Sequence, residues 1–245
     1  MRNIVVTGGN RGLGEATASH FLQVGEDVCV TVRSSLGQEM VQAWHTRLEQ
    51  SNPRLGRLTV AQWDAEAPER ISSELEYALE HCDVLVNNAG WEADLGIAHP
   101  DGYDHNILLE PSDIFMKAIQ INSNAPRVLM GRVIEGMKNR DYGRIVNVSS
   151  GLARISPKVE GPNCPSYRLS KALLALIAKE AAFECPHPNI KINAMAPGWC
   201  KTRMGGPNAP DDVLVGAQRI VDLCNLPADG VSGTFWMDGV LSSLL

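Results

Sequence analysis

Short β-branched runs alternate with helix-length segments along the whole chain. Asn3 to Thr7 (Asn-Ile-Val-Val-Thr) has the length and character of a buried strand, Gly8 to Gly14 is a glycine turn, and Glu15 to Val24 reads as a helix stopped at Gly25. Asp27 to Val32 predicts a second strand, and a polar helix follows from about Leu36 to Gln50 until Asn52-Pro53 breaks it. Leu58 to Trp63 predicts a third strand, Pro68 to His81 a helix with proline in its first turn, and Val84 to Asn87 a fourth strand. From Trp91 to Glu110 the pattern dissolves into Gly, Asp, His and Pro, the composition of a surface loop. A long helix from Pro111 to Lys138, bent near Asn122 to Pro126, leads to a fifth strand at Arg144 to Val148. A helix at Ser166 to Glu184 precedes a sixth strand at Lys191 to Ala196. A Gly/Pro segment from Pro197 to Asp212, a helix at about Asp212 to Cys224 and a seventh strand at Thr234 to Met237 complete the series.

Strand and helix repeated in this way imply a parallel sheet, because a parallel crossover needs a helix to return the chain. The expectation is one α/β domain over 1–245, a doubly wound parallel sheet of about seven strands with helices on both faces, and 245 residues suffice for its core. Such sheets bind ligands outside the carboxyl ends of their strands. Four clusters fall at those ends: the glycine turn after the first strand, Asn87-Asn88-Ala89-Gly90 after the fourth, Ser149-Ser150 after the fifth and Pro197-Gly198 after the sixth.

Composition narrows the partners. The net charge of -6 gives no electrostatic footprint for nucleic acid or an anionic membrane. No stretch approaches the roughly 20 apolar residues of a membrane span, and the run from Met1 to Gly8 is too short for a secretory signal, so a soluble cytoplasmic protein is expected. The six cysteines contain no C-x-x-C pair, which fits free thiols in a reducing compartment. The six histidines lack metal-ligand spacing, so no metal is expected.

The segment Thr7 to Gly14 sits between a strand and a helix, the setting of a phosphate-binding turn. Gly8 can take positive φ, Gly12 lets the backbone approach a pyrophosphate, and Gly14 removes a side chain where helix meets strand. Unpaired N–H groups at the helix start would face the anion. A structural glycine turn is the plainer alternative. At the end of the second strand, where a carboxylate would hold the 2′-hydroxyl of NAD, the sequence reads Thr31-Val32-Arg33-Ser34-Ser35. Arg33 and Arg11 could instead clamp a 2′-phosphate, which points to NADP(H); two solvated arginines would look the same in sequence.

Tyr167 and Lys171 are four residues apart at the start of a helix and share one face. A cation beside a phenol favours the phenolate, so a lowered Tyr167 pKa is expected, with the phenol exchanging a proton near neutral pH. A Ser hydroxyl at the end of the fifth strand could bond the same reacting oxygen. By itself the pair is equally the mark of a partly buried tyrosine beside a solvated lysine.

Taken together, these motifs resemble those of the short-chain dehydrogenase/reductase family, and the resemblance runs along nearly the whole chain. The family's T-G-x-x-x-G-x-G matches Thr7 to Gly14, its N-N-A-G matches Asn87 to Gly90, its active-site Asn matches Asn122, its Ser matches Ser150 and its Y-x-x-x-K matches Tyr167 and Lys171. Its acidic adenine contact matches Asp64, and its P-G turn over the nicotinamide matches Pro197-Gly198, with Thr202 placed to reach the carboxamide or a phosphate. Asn10-Arg11-Gly12-Leu13-Gly14 and Pro197-Gly198-Trp199 are similar to the carbonyl reductase subgroup. Two departures stand out: Arg203 lies where that subgroup usually has Asp, and Tyr167 follows Ser150 by 17 positions where the common pattern has fewer.

The resemblance implies a Rossmann-type fold and NADP(H)-dependent reduction of a carbonyl compound. Tyr167 is then the proton donor, Lys171 the group that lowers its pKa, Ser150 the oxyanion partner and Asn122 the holder of a water behind Lys171. Thr7, Gly8, Asn10, Arg11, Gly12, Leu13, Gly14, Arg33, Asp64, Asn88, Ala89, Gly90, Tyr167, Lys171, Pro197, Gly198 and Thr202 are expected to bind the cofactor. Oxidation of a secondary alcohol by the same residues, and an NADP-sensing protein without turnover, are the other readings. Pocket walls are expected from Trp91 to Tyr103, Leu152 to Ser166 and Trp199 to Asp212, with Trp91, Cys164 and Trp199 as contacts and Cys164 and Cys200 as small fillers or reactive thiols. Asp94, Asp101, Asp104 and Glu110 make the first segment acidic and disfavour an anionic substrate. The partners expected are a small carbonyl substrate and a second copy of the chain, as a homodimer or homotetramer.

Overall fold

The computed structural model describes residues 1–52, 54–93, 106–155 and 164–244. The stretches 94–105 and 156–163 of the expected pocket walls, with Asp94, Asp101, Tyr103 and Asp104, lie outside the described residues.

One eight-stranded sheet organises the chain, in the order β3-β2-β1-β4-β5-β6-β7-β8. Its strands are β1 (Asn3–Thr7), β2 (Asp27–Val32), β3 (Leu58–Gln62), β4 (Val84–Asn87), β5 (Gly143–Val148), β6 (Ile190–Ala196), β7 (Phe235–Met237) and β8 (Val240–Ser242). Strands β1 to β7 are parallel. The helices are α1 (Gly12–Gln23), α2 (Ser35–Ser51), α3 (Ser73–Glu80), α4 (Ser112–Ile119), α5 (Ala125–Asn139), α6 (Pro165–Glu184) and α7 (Val213–Cys224).

Alternation along the strands divides the core between the two faces. Val5, Leu85, Ile145 and Ile192 pack with Leu75 and Leu79 of α3, Leu129 and Val133 of α5 and Ala175 and Ala178 of α6. Ile4, Val6, Val30, Val86 and Val146 pack with Phe21 and Leu22 of α1, Trp44 of α2 and Ile220 and Val221 of α7. Each such side chain contributes roughly 1.5–3 kcal/mol on burial, so both helical layers are held by the sheet they cover. The strand order reverses between β1 and β4, which opens the crevice where the four clusters meet.

Two elements depart from the sequence expectation, and a third, the bend in the long helix, falls where the sequence predicts it. An eighth strand follows the seventh, antiparallel to it. Asp238 and Gly239, with φ of 53° and 84°, form the two-residue turn that a tight hairpin demands. Helix α3 begins at Ser73 rather than Pro68, because the Ser72 hydroxyl caps it by accepting from the Leu75 N–H. The bend in the long helix is a π-helical turn at Gln120–Asn124, directly before Pro126 enters α5. It carries Asn122 to the crevice.

Candidate active site

The glycine turn is a locally determined piece of backbone. Gly8 and Gly12 take φ of 68° and 58°, and a Cβ on Gly14 would overlap the Gly8 carbonyl oxygen. Arg11 is the N-cap of α1 and offers no side-chain cap, so the first N–H groups of that helix keep their donors for an anion. The turn is tied to β4 by two residues. Thr7 Oγ1 accepts from the Asn88 N–H at 3.0 Å and the Ala89 N–H at 2.9 Å, while Asn88 Nδ2 donates to the Thr7 and Gly8 carbonyls at 2.8 and 3.2 Å. These residues fit a dinucleotide pyrophosphate.

Around the adenosine end, Asp64 Oδ1 accepts from the Glu66 N–H at 3.0 Å and shapes the turn after β3. Arg33 is exposed and stands 3.9 Å from Glu66. Asn10 turns its amide to the Met40 sulfur at 3.6 Å, and Leu13 packs against the apolar core, which leaves its backbone N–H as its route to a cofactor. Pro197-Gly198 is held from below: Arg219 donates to the Pro197 carbonyl at 2.7 Å and pairs with Asp211 at 2.6 Å and Asp238 at 3.5 Å. Arg219 is a long-range contact that no local motif announces.

Helix α6 presents Ser166, Ser170, Lys171 and Leu174 on its buried face. Tyr167 and Lys171 stand together as their spacing requires, with the ammonium 5.8 Å from the ring centroid. Lys171 Nζ donates to the Val148 carbonyl at 2.7 Å, and Ser149 Oγ donates to the Lys171 carbonyl at 2.7 Å, so the end of β5 grips the helix from both sides. Ser150 accepts from the Leu152 N–H at 3.2 Å and hydrogen-bonds the Tyr167 phenol. Asn122 is buried; its side chain accepts from the Trp91 N–H and donates to the Trp91 carbonyl, both at 2.7 Å, and donates to Ser170 Oγ at 2.9 Å. Gly90 lies between: a Cβ there would stand 3.2 Å from Lys171 Nζ and 3.5 Å from Asn122 Oδ1. A side chain there would crowd the lysine head group.

Electrostatics correct one expectation. The Tyr167 phenol is pushed above its ordinary value, first by burial and then by the Glu92 carboxylate, against a hydrogen bond from Ser150 that lowers it. Lys171, desolvated in the same place, falls to about 8. The expected lowering of the phenol is absent because burial outweighs it, the Glu92 carboxylate adds to the rise, and Lys171 gives a hydrogen bond to Val148.

A small cavity over Tyr167 is lined by Trp91, Glu92, Glu110, Ala118, Cys164 and Ser166. The Ser166 hydroxyl donates to Glu110, and Lys117 stands 5.2 Å over the Trp91 ring. Trp91 and Cys164 both line this cavity. Trp199 does not: its indole donates to the Gly205 carbonyl at 2.7 Å, closing its own turn, and 57% of its surface is exposed. Neither cysteine has thiolate character, since burial raises Cys164 to about 12 and raises Cys200 as well. Glu92 and the Ser166–Glu110 contact complete the cavity; Glu110 belongs to the acidic set seen in sequence, while the sign for Glu92 and Ser166 is proximity to Gly90 and Tyr167.

A parallel sheet with its switch point at a glycine turn, and a Ser, Tyr and Lys gathered beside it, defines a dinucleotide-dependent oxidoreductase. The family model described as "short chain dehydrogenase" matches residues 2–212, and the chain belongs to that family. It is 30% identical over 232 residues to the short-chain dehydrogenase anuI of Penicillium roqueforti (strain FM164), covering 89% of this chain and 86% of that protein. Its fold is similar to that of the carbonyl reductase Sniffer of D. melanogaster, with a TM-score of 0.77, 24% identity and coverage of 98% and 97% of the two chains. The NADPH-bound carbonyl reductase from chicken fatty liver aligns with a TM-score of 0.78 at 23% identity, over 99% of both chains. Among the described residues no group of three or more His, Cys, Asp or Glu could hold a metal ion, and no helix is long and apolar enough to cross a membrane.

Proposed function

We propose that this chain is an NADP(H)-dependent carbonyl reductase that converts a ketone or aldehyde to the alcohol. The observation that carries the reading is the meeting of Ser150, Tyr167 and Lys171 beside the glycine turn, with the Tyr167 phenol bonded to Ser150 and Lys171 anchored on the Val148 carbonyl. When bound, the cofactor supplies the hydride.

The chain's own residues do the rest. The glycine turn and the first N–H groups of α1 hold the pyrophosphate, and Asn88, Ala89 and Gly90 keep the neighbouring wall in register. Arg11 and Arg33 favour the 2′-phosphate at a strand end that carries no carboxylate. Tyr167 donates its proton to the carbonyl oxygen as charge develops there, and Ser150 steadies that oxygen. Lys171 contributes a positive charge behind the phenol and restores its proton, with Asn122 across Gly90 positioned to hold a water for that relay.

The test is to mix purified protein with NADPH or NADH and a panel of ketones, aldehydes and diketones, following cofactor absorbance. Consumption of NADPH with a higher kcat/KM than NADH is expected, and Arg33→Asp should narrow or invert that preference. No consumption with any carbonyl compound would refute the reading.

A further inference from the structure

We propose that Arg203 is a third anion-binding residue of the cofactor site, completing with Arg11 and Arg33 a clamp of three guanidinium groups around the 2′-phosphate of NADP(H). The assignment rests on the cofactor reading above.

The segment after the Pro197-Gly198 turn is folded tightly back on itself. Lys201 N–H donates to the Asp211 carbonyl at 2.9 Å and Asp211 N–H to the Trp199 carbonyl at 3.1 Å, which pins both ends. Inside it, Thr202 Oγ1 accepts from the Gly205 N–H at 3.0 Å and the Thr202 carbonyl accepts from the Gly206 N–H at 2.9 Å. This turn abuts the glycine turn, since a Cβ on Gly12 would meet the Thr202 methyl at 3.4 Å. Arg11 precedes Gly12 and Arg203 follows Thr202, so the two arginines flank the point where the turns touch. Arg33, at the end of β2, is close enough for its charge to act on Arg11. The three come from separate parts of the chain, and no single motif contains them.

Charge makes the arrangement informative. After burial, the repulsion of Arg203 and then of Arg33 is what lowers the Arg11 pKa. Among the described residues neither Arg11 nor Arg203 forms an ion pair, and Arg33 only approaches Glu66 at 3.9 Å. The like charges of Arg203 and Arg33 repel that of Arg11, and a phosphate dianion between them converts that repulsion into charge-assisted pairing. Guanidinium groups suit it because their forked donors match phosphate oxygens. The pyrophosphate offers the same chemistry at another place, so the ligand fragments must tell the two apart.

The measurement is calorimetric titration of wild type, Arg203→Gln and Arg203→Lys with adenosine 2′,5′-bisphosphate, ADP, NADPH and NADH, without substrate. Arg203 is exposed, so both variants should keep the wild-type Tm. Arg203→Gln should weaken adenosine 2′,5′-bisphosphate and NADPH by about tenfold at low salt, the loss of one charge-assisted pair, and leave ADP and NADH unchanged. The loss should shrink as KCl is raised, and Arg203→Lys should recover part of it. Equal weakening of ADP and NADH would assign Arg203 to the pyrophosphate and overturn the proposal, as would unchanged affinity for all four ligands. If wild type itself binds adenosine 2′,5′-bisphosphate no more tightly than ADP, the cofactor reading fails and this assignment with it. Wild-type discrimination that survives Arg203→Gln overturns this assignment alone.

Discussion

The ammonium of Lys171 stands 5.8 Å from the centre of the Tyr167 ring and donates to the carbonyl of Val148, not to the phenol. The lysine thus pays for its position in pKa, falling from 10.5 to about 8 through burial, while the phenol rises. Reduction draws on a protonated Tyr167 and a charged Lys171, and the second is lost first. The kcat/KM for carbonyl reduction should fall as pH rises through about 8, read from a pH profile with NADPH saturating. A flat profile to pH 10 would mean that the charge on Lys171 is not needed.

The same shift has a consequence for stability. The folded pKa of Lys171 is below the unfolded one, so the unfolded chain holds the proton more tightly. The cost to folding is complete below about pH 8 and fades as pH rises toward 10.5. By linkage it is on the order of 3 kcal/mol. Lys171→Met removes that cost and strands the Val148 carbonyl, whose loss is the same at every pH. Relative to wild type, the Tm of Lys171→Met should therefore be higher at pH 7 than at pH 10, while turnover drops at least about a hundredfold. A Tm difference independent of pH would contradict the burial of a charged lysine.

Glu92 raises the Tyr167 phenol from within the cavity. Glu92→Gln removes that charge, so the phenolate should form at lower pH. In the direction of alcohol oxidation, where Tyr167 accepts a proton, the alkaline rise in kcat should move to lower pH than in wild type. An unmoved profile would show that Glu92 does not act on the phenol.

Much of this site is legible in sequence because it is set by local rules. Glycine at a positive φ marks the first turn, four-residue spacing joins Tyr167 to Lys171, and Pro126 announces the interruption that delivers Asn122. Asp238-Gly239 is an equally local sign of the β7–β8 hairpin, although a run ending at Met237 reads as the last strand. What local rules do not carry are contacts between distant segments: Arg219 under Pro197, Glu92 beside Tyr167 in the cavity, and Thr202 against Gly12. The Trp199 indole shows the limit well. Its place in the chain suits a pocket wall, yet a hydrogen bond to Gly205 turns it outward.

Asn88 is a case where a motif residue acts through the backbone it holds. Its amide donates to the Thr7 and Gly8 carbonyls, and Asn88→Ala leaves both without that partner. Stability should fall by roughly 1–3 kcal/mol in urea unfolding. NADPH should bind more weakly while the residual kcat at saturation stays close to wild type. A lost kcat at unchanged affinity would place Asn88 in the chemistry instead.

The central claim is that the Tyr167 hydroxyl delivers the proton, and Tyr167→Phe tests it most directly when turnover and cofactor affinity are measured on the same preparation. Carbonyl reduction should fall by at least about a hundredfold, with NADPH affinity within a few-fold of wild type and the Tm preserved. Turnover that survives the loss of the hydroxyl, or affinity and Tm that collapse together with it, would contradict the account.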